Sequence, residues 1–318
     1  TNGSFDVSVE EDASQDSETD HFAERIDYFA FDGPGILSAA PTRDILEIGS
    51  LALNSDPTTV TLQRSYDNPV VIAHVASENG FQPVNVRVNE VSGSSLTLQL
   101  QEPNYLDGAH FNETINYMVV EAGRWVLPDS TLLEAGTLES SRLSTQGFET
   151  VAFGAAFDTA PVILSQVQTF NGGDFVTTRQ RNADAAGFHL TMQEEEAGNG
   201  GAHVVETLGW VAIEAGSGTA GGLDWLAGRS SGVTDATATV PLGATFSGPA
   251  NVIAGVSTYV GNDPAWARSS GSSAGSFEVS VEEDASQDAE TDHLPETIDY
   301  FAFNASGVVV AYDYDFFG

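Results

Sequence analysis

An all-β fold of tandem small antiparallel β-sandwich domains, with an incomplete N-terminal half-domain, is what this sequence predicts, on three observations. Apolar residues alternate with polar ones in short runs, as with Phe5, Val7 and Val9 against Asp6, Ser8 and Glu10. That is the period of a strand with one buried face. Runs rich in Val, Thr, Phe and Tyr are bounded by Gly, Asn, Asp and Ser clusters, and no segment carries a 3.6-residue apolar period. Finally, one phrase occurs four times: Glu, an acidic loop, His-x-x-Glu, then an aromatic strand. Its copies are Glu11…His21…Glu24…Tyr28, Glu102…His110…Glu113…Tyr117, Glu195…His203…Glu206…Trp210 and Glu283…His293…Glu296…Tyr300. The histidines are spaced by 89, 93 and 90 residues, which marks an array of similar units.

The elements of a unit follow in a fixed order. Each opens on a Gly-containing step, at Gly49, Gly136 and Gly228. A strand ending in an aromatic comes next (Tyr66, Phe157, Phe246), then a Pro-led apolar run from Pro69, Pro161 or Pro249. An arginine follows each proline, at Arg87, Arg179 and Arg268. The strands Leu96–Leu100, Phe188–Met192 and Phe277–Val281 precede the acidic loop, the His-x-x-Glu and the last strand. This places β-sandwich repeats at 45–123, 133–216 and 224–307, with linkers near 36–45, 124–133 and 217–224. Residues 1–35 read as the closing half of a further repeat, and 308–318 as a strand-like tail suited to pairing with a neighbouring copy. Gly3–Gly35 is identical to Gly275–Gly307 at 25 of 33 positions, so a higher-order period of three repeats is superposed on the single one. A half-sandwich at Thr1 is expected to be completed upstream in a longer chain or by another subunit.

Charge narrows the function classes. Forty-six acidic residues face ten basic ones, all arginine, for a net charge of −36. Nucleic acid is excluded as a partner, because phosphate binding draws on clustered Lys and Arg. Apolar content of 41% argues against a disordered acidic chain. A folded, Lys-free, carboxylate-rich protein fits molar salt, where screening shortens self-repulsion to a few ångströms. Halophilic archaea and their viruses have such compositions. Cysteine is absent, so there is neither a disulfide framework nor a thiolate metal site. No apolar stretch reaches the roughly 20 residues of a membrane span, and no membrane insertion is expected.

The repeated phrase has two readings. Imidazole and carboxylates at one corner are an N/O metal set, which makes Glu11, His21, Glu24, Glu102, His110, Glu113, Glu195, His203, Glu206, Glu283, His293 and Glu296 candidate ligands. The oxygen-rich loops around Glu11 and Glu283 suit Ca²⁺ or another divalent cation. Alternatively, His and Glu hold the corner by hydrogen bonds, with Arg87, Arg179 and Arg268 offsetting buried carboxylates. Catalytic signatures are missing: there is no His-Glu-x-x-His, no Gly-x-Ser-x-Gly and no phosphate-cradling loop. The aromatics seven residues after each motif histidine are expected in the core. Trp266, after Gly261-Asn262-Asp263-Pro264, reads as loop-borne and is the candidate exposed ligand-binding aromatic.

A family resemblance shows in the middle unit. Phe148-Glu149-Thr150-Val151-Ala152-Phe153…Phe157…Pro161-Val162-Ile163, then Arg179, Gly187-Phe188-His189-Leu190 and Gly209-Trp210-Val211-Ala212-Ile213 resemble the H-type lectin-like β-sandwich. The resemblance implies a six-stranded sandwich that often trimerises, and a carbohydrate role on adhesins or viral fibres. The Glu…His-x-x-Glu insertion departs from the family pattern, so no sugar-binding residues carry over. The expectation is a non-enzymatic extracellular structural or adhesive repeat protein of a halophile, building a filament, fibre or surface appendage with neighbouring copies of itself. The alternative is a glycan-binding adhesin or viral receptor-binding fibre, at the cell or virion surface.

Overall fold

A computed structural model describes residues 6–9, 14, 22–23, 25–27 and 42–314. The chain divides into two compact units, Thr1–Ala39 and Ala40–Gly318, and the second carries all the strands described below. Glu11, His21 and Glu24 lie outside the described residues, as do most of the 1–35 half-domain and the end of the 308–318 tail.

Three repeats, each of six strands, follow one another. The first holds β1 (Thr42–Leu53), β2 (Thr58–Thr61), β3 (Pro69–Val75), β4 (Asn85–Val91), β5 (Ser95–Gln101) and β6 (Glu113–Glu121). After β7 (Gly123–Val126) comes the second: β8 (Leu132–Ser140), β9 (Glu149–Ala152), β10 (Val162–Val167), β11 (Val176–Arg181), β12 (Gly187–Glu194) and β13 (Glu206–Ile213). After β14 (Gly216–Ala220) comes the third: β15 (Leu223–Val233), β16 (Ala238–Pro241), β17 (Asn251–Val256), β18 (Ala265–Ser270), β19 (Ser276–Glu283) and β20 (Glu296–Phe303). β21 (Gly307–Asp313) ends the series.

Every repeat is sandwich-like, with an inner sheet and an outer one. The inner orders are β1-β6-β3, β8-β13-β10 and β15-β20-β17; the outer ones are β2-β5-β4, β9-β12-β11 and β16-β19-β18. Of the stretches read as linkers, 124–133 and 217–224 contain strand residues, as does 36–45 as far as it is described. β7 and β21 join two inner sheets into one of eight strands, β10-β13-β8-β7-β21-β1-β6-β3. The tail expected to pair with a neighbouring copy therefore pairs, as far as it is described, within its own chain: Thr42 sits opposite Tyr312 and Ile48 opposite Gly307.

The last strand of each repeat explains why the repeats form one body. Its residues alternate between two cores, so it is apolar on both faces. Tyr117 and Val119 enter the first sandwich core, Trp210 and Ala212 the second, and Tyr300 and Ala302 the third. Met118, Val120, Val211, Ile213, Phe301 and Phe303 point the other way, into a single core shared by all three repeats. A strand buried on both faces reads as a continuous apolar run rather than an alternating one. The opening glycines are the register partners of the repeated aromatics: Gly49 lies opposite Tyr117, Gly136 opposite Trp210 and Gly228 opposite Tyr300. A Cβ on these glycines would come within 2.4–2.7 Å of the ring facing it, closer than nonbonded atoms approach, so the ring lies over bare backbone.

Candidate functional site: three interlocked Glu–His–Glu clamps

The strand ends assemble the repeated phrase. In each repeat an outer-sheet strand ends at or just before a Glu, and an inner-sheet strand begins with one. The histidine between them spans both. His110 Nδ1 lies 2.8 Å from Glu102 Oε1, and its Nε2 lies 3.1 Å from Glu113 Oε1. His293 does the same with Glu283 at 2.9 Å and Glu296 at 3.3 Å. His203 uses Glu206 at 3.3 Å and, at 2.5 Å, Glu194. The partner expected from the sequence was Glu195. That side chain instead accepts the Asn104 backbone N–H at 2.6 Å, because Glu194 is the residue that ends β12 on the histidine's side.

The inner Glu is also the anchor of a loop. Glu206 accepts from Thr169 Oγ1 at 2.5 Å and from the Asn171 and Gly172 amides at 3.0 and 2.9 Å. Glu113 takes Ser77 Oγ and the Asn79 and Gly80 amides; Glu296 takes Thr258 Oγ1 and the Val260 and Gly261 amides. Glycine ends each of these loops because the histidine ring rests on it. A Cβ at Gly80, Gly172 or Gly261 would lie 2.6–2.7 Å from the ring. These glycines escaped the sequence reading, although Ser/Thr-x-x-Gly recurs at 77–80, 169–172 and 258–261.

The arginines close the assembly. Arg87 of repeat one donates to Glu206 of repeat two at 2.8 Å, and Arg179 of repeat two to Glu296 of repeat three at 2.7 Å. Arg268 of repeat three returns to Glu113 of repeat one at 2.7 Å. Three repeats thus form a closed cycle, each reaching into the clamp of the next. The inner carboxylates and Arg179 are fully buried, and Arg87 is 1% exposed. The Arg87 and Arg179 guanidinium carbons lie over the Phe170 and Tyr259 rings, 4.8 Å from each ring centre.

Electrostatics assigns the protons. Both nitrogens of each ring face carboxylates, which when ionised only accept. Around His203 and His293 two carboxylates, one guanidinium and one imidazolium sum to zero, so protonation of the histidine makes these buried clusters neutral. Around His110, Arg268 also meets Glu282 at 2.9 Å, which adds a third carboxylate. Burial alone would lower the His203 pKa, but its bonds to Glu194 and Glu206 outweigh that and raise it to about 9. For Glu206 burial would raise the value, and hydrogen bonds from His203, Thr169, Gly172 and Asn171 bring it down to about 2. His293 is raised and Glu296 lowered for the same reasons.

Two groups among the described residues have ligand-like geometry for a divalent ion: Asp174, Glu194 and His203, and Asp263, Glu283 and Glu290, with donor atoms within 4.8 Å of one another. In the first, His203 offers no lone pair while protonated, so metal there competes with the proton. The second is all oxygen. Its carboxylates crowd one another: burial first, then the charges of Asp263 and Glu290, raise Glu283 against the lowering effect of His293.

Trp266 differs from the expectation. It lies on β18, 4% exposed, donating from Nε1 to Val84 O at 3.0 Å and to Glu282 at 2.8 Å, with Phe175 4.9 Å away. The Asn-Asp-Pro turn ends before it, and its neighbours Val84 and Phe175 belong to the other two repeats. Where the repeats meet there is a polar cavity of about 40 Å³, lined by residues including His74, Gln166, Thr178 and Gln180, enough for an ordered water. His74 there bonds Ser269 Oγ at 2.8 Å, and burial plus nearby Arg268 keep it neutral, its pKa pushed down to about 3.

The chain is similar to halomucin of Haloquadratum walsbyi, with 31% identity over 271 residues. The match covers 81% of this chain and 3% of halomucin, a small fraction of that protein's length. No protein-family model matches the chain, and no solved structure matches it.

Proposed function

We propose that the chain is a non-enzymatic structural block of an extracellular surface protein of a halophile. The observation that carries this is the closed cycle of buried Arg–Glu–His clamps. Each ionisable group in the cycle is consumed by another, and the result is one body made from three repeats. The similarity to halomucin and the Lys-free acidic composition support the same reading. Immunogold labelling of intact cells in saturated brine tests it: label on the outer envelope is expected, and cytoplasmic label would overturn the proposal. The adhesin alternative loses its aromatic, since Trp266 is packed between repeats.

We further propose that Ca²⁺ sits at Asp263, Glu283 and Glu290, where hard oxygen donors are crowded. Chelation in near-saturated NaCl should then lower the melting temperature, and Glu290→Gln should remove that response. An unchanged melt leaves the constellation as clamp alone.

A further inference from the structure

Asn-x-Ser/Thr, the acceptor pattern for N-linked sugar, occurs at Asn2, Asn112 and Asn304. Asn2 lies outside the described residues, and the fold treats the other two in opposite ways. Asn304 is half-buried and its amide is committed: Oδ1 accepts the Asp224 backbone N–H at 3.1 Å, and Nδ2 donates to Asp224 Oδ2 at 3.2 Å. Asn112 is exposed. It stands inside His110-Phe111-Asn112-Glu113, yet the clamp takes only its backbone carbonyl, which accepts from Asn79 Nδ2 at 2.8 Å. Repeat two makes the same bond from Asn171 to the carbonyl of Val205, so the clamp does not require asparagine at this position. Thr114, which brings the hydroxyl of the pattern, is exposed as well, whereas its counterparts Thr207 and Thr297 bond Glu139 and Ser231. A second observation concerns apolar surface on the same pair of loops. Phe111 is 72% exposed, and Phe81, two residues beyond Asn79, is 100% exposed. The other repeats have Val204 and Gly173, and Leu294 and Asn262, at these two places. Two rings left in water thus accompany the acceptor in the repeat that has it.

We propose that Asn112 carries an N-linked glycan that lies over Phe111 and Phe81. Transfer takes a lipid-phosphate-linked sugar as donor. Asn112 Nδ2 attacks the anomeric carbon, and the new C–N bond forms as the C–O bond to phosphate breaks. Phosphate leaves with the electron pair, and the amide gives up one of its two protons. No bond of the clamp runs through Nδ2, so the fold accepts the substitution. At Asn304 the sugar would have to enter a half-buried turn whose amide Asp224 already holds. Sugar rings pack their C–H faces on aromatic rings and turn their hydroxyls to water, which makes the apolar patch a hydrated one. This rests on the extracellular reading, because N-linked sugar belongs to secreted chains. The two fail separately: label on the outer envelope with a bare Asn112 sinks only the glycan.

The protein purified from the cells that make it is cleaved after arginine, which separates Asn112, in the peptide 88–124, from Asn304, beyond Arg268. Mass spectrometry with electron-transfer fragmentation should find the first peptide heavier by one or more sugar residues, placed on Asn112, and the second at its plain mass. A bare 88–124 peptide, or sugar on Asn304 alone, overturns the proposal. Asn112→Gln and Thr114→Ala, produced in the same cells, should each lose the added mass, while Thr114→Ser keeps it. Added mass retained by Asn112→Gln puts the sugar elsewhere and also overturns the assignment. In near-saturated NaCl the Asn112→Gln protein should bind more of an apolar fluorescent dye than the sugar-bearing protein does. Equal binding refutes the cover over Phe81 and Phe111.

Discussion

Glu206→Gln removes one charge from the clamp that joins repeats one and two while keeping the shape of the side chain. Glu206 is buried and takes five donors: Arg87 Nη2, His203 Nε2, Thr169 Oγ1 and two backbone amides. The substitution leaves Arg87 and imidazolium against Glu194 alone, a cluster one charge positive. It also turns an amide N–H₂ toward groups that, apart from the Thr169 hydroxyl, only donate. Arg87 has little to fall back on, since its Nε and Nη1 have no protein partner. Breaking a buried ion pair from one side costs about 3–5 kcal/mol. For a cooperative unit somewhat larger than 250 residues, each kcal/mol moves the melting temperature by about 2 °C, so the expected fall is about 6–10 °C. Circular-dichroism melts in near-saturated NaCl measure it. Molar salt screens exposed pairs but not this one, so Arg43→Gln, which breaks the exposed pair with Asp67 at 3.1 Å, should shift the melt by less than about 1 kcal/mol under the same conditions. A double-mutant cycle with Arg87→Gln should show coupling above about 1.5 kcal/mol. If Glu206→Gln costs no more than Arg43→Gln, or if the cycle is additive, the clamp does not hold the repeats together.

Other consequences can be checked the same way. Gly172→Ala places a Cβ 2.7 Å from the clamped His203 ring, whereas a Cβ at Gly173 meets nothing within 4 Å; the first should cost about 1–3 kcal/mol in chemical denaturation and the second almost nothing. With His203 raised to about 9, its stabilising contribution is complete below its unfolded value of 6.5 and lost as pH rises through 9. Glu206, lowered to about 2, contributes fully above 4.5 and loses this as pH falls through 2. Stability from this clamp should peak between those two unfolded values, and His203→Gln should flatten the alkaline limb, worth roughly 3 kcal/mol, in a melting-temperature profile against pH. Glu196 is raised to about 7 by burial and by Asp263, Asp288 and Asp284, so its ionisation opposes folding above pH 4.5. Glu196→Gln should therefore stabilise the protein at pH 8 by about 1 kcal/mol after screening, with an unchanged or lower melt counting against this.

The repeat pattern could be read along the chain, and the way the repeats lock together could not. Glycine step, Pro-led run, arginine and His-x-x-Glu each recur in order, and all fall on strands or on the loops leading into them in every described repeat. Local periodicity carries such features because they depend on neighbours in sequence. Glu194 was missed because Glu194, Glu195 and Glu196 are chemically alike and the loop to the histidine differs in length between repeats. His110, His203 and His293 follow their outer partners Glu102, Glu194 and Glu283 by 8, 9 and 10 residues. Trp266 was read from the turn before it, while its environment is set by Val84 and Phe175 of the other repeats. Arg87, Arg179 and Arg268 were recognisable as partners for buried carboxylates. Which carboxylate each one meets follows only from the cyclic closure, which no single repeat encodes.

The carboxylates also do different work at different depths. Composition alone assigns an acidic chain's charge to the surface, yet Glu47, Glu113, Glu121, Glu134, Glu206 and Glu296 are all buried. Each of them takes backbone amides from a nearby loop, as Glu121 does from Asp67 and Asn68 and Glu134 from Gly154. Two amide donors each help to hold Glu113, Glu206 and Glu296 ionised without a lysine, and the amides that these buried carboxylates satisfy would otherwise be orphaned. Two populations of acid follow. Those outside repel one another and need salt to be tolerated; those inside are loop clips and clamp members whose strength salt barely touches. An all-arginine, Lys-free chain suits this division. Guanidinium forks fit the few places where a clamp needs a cation, and backbone amides serve the rest.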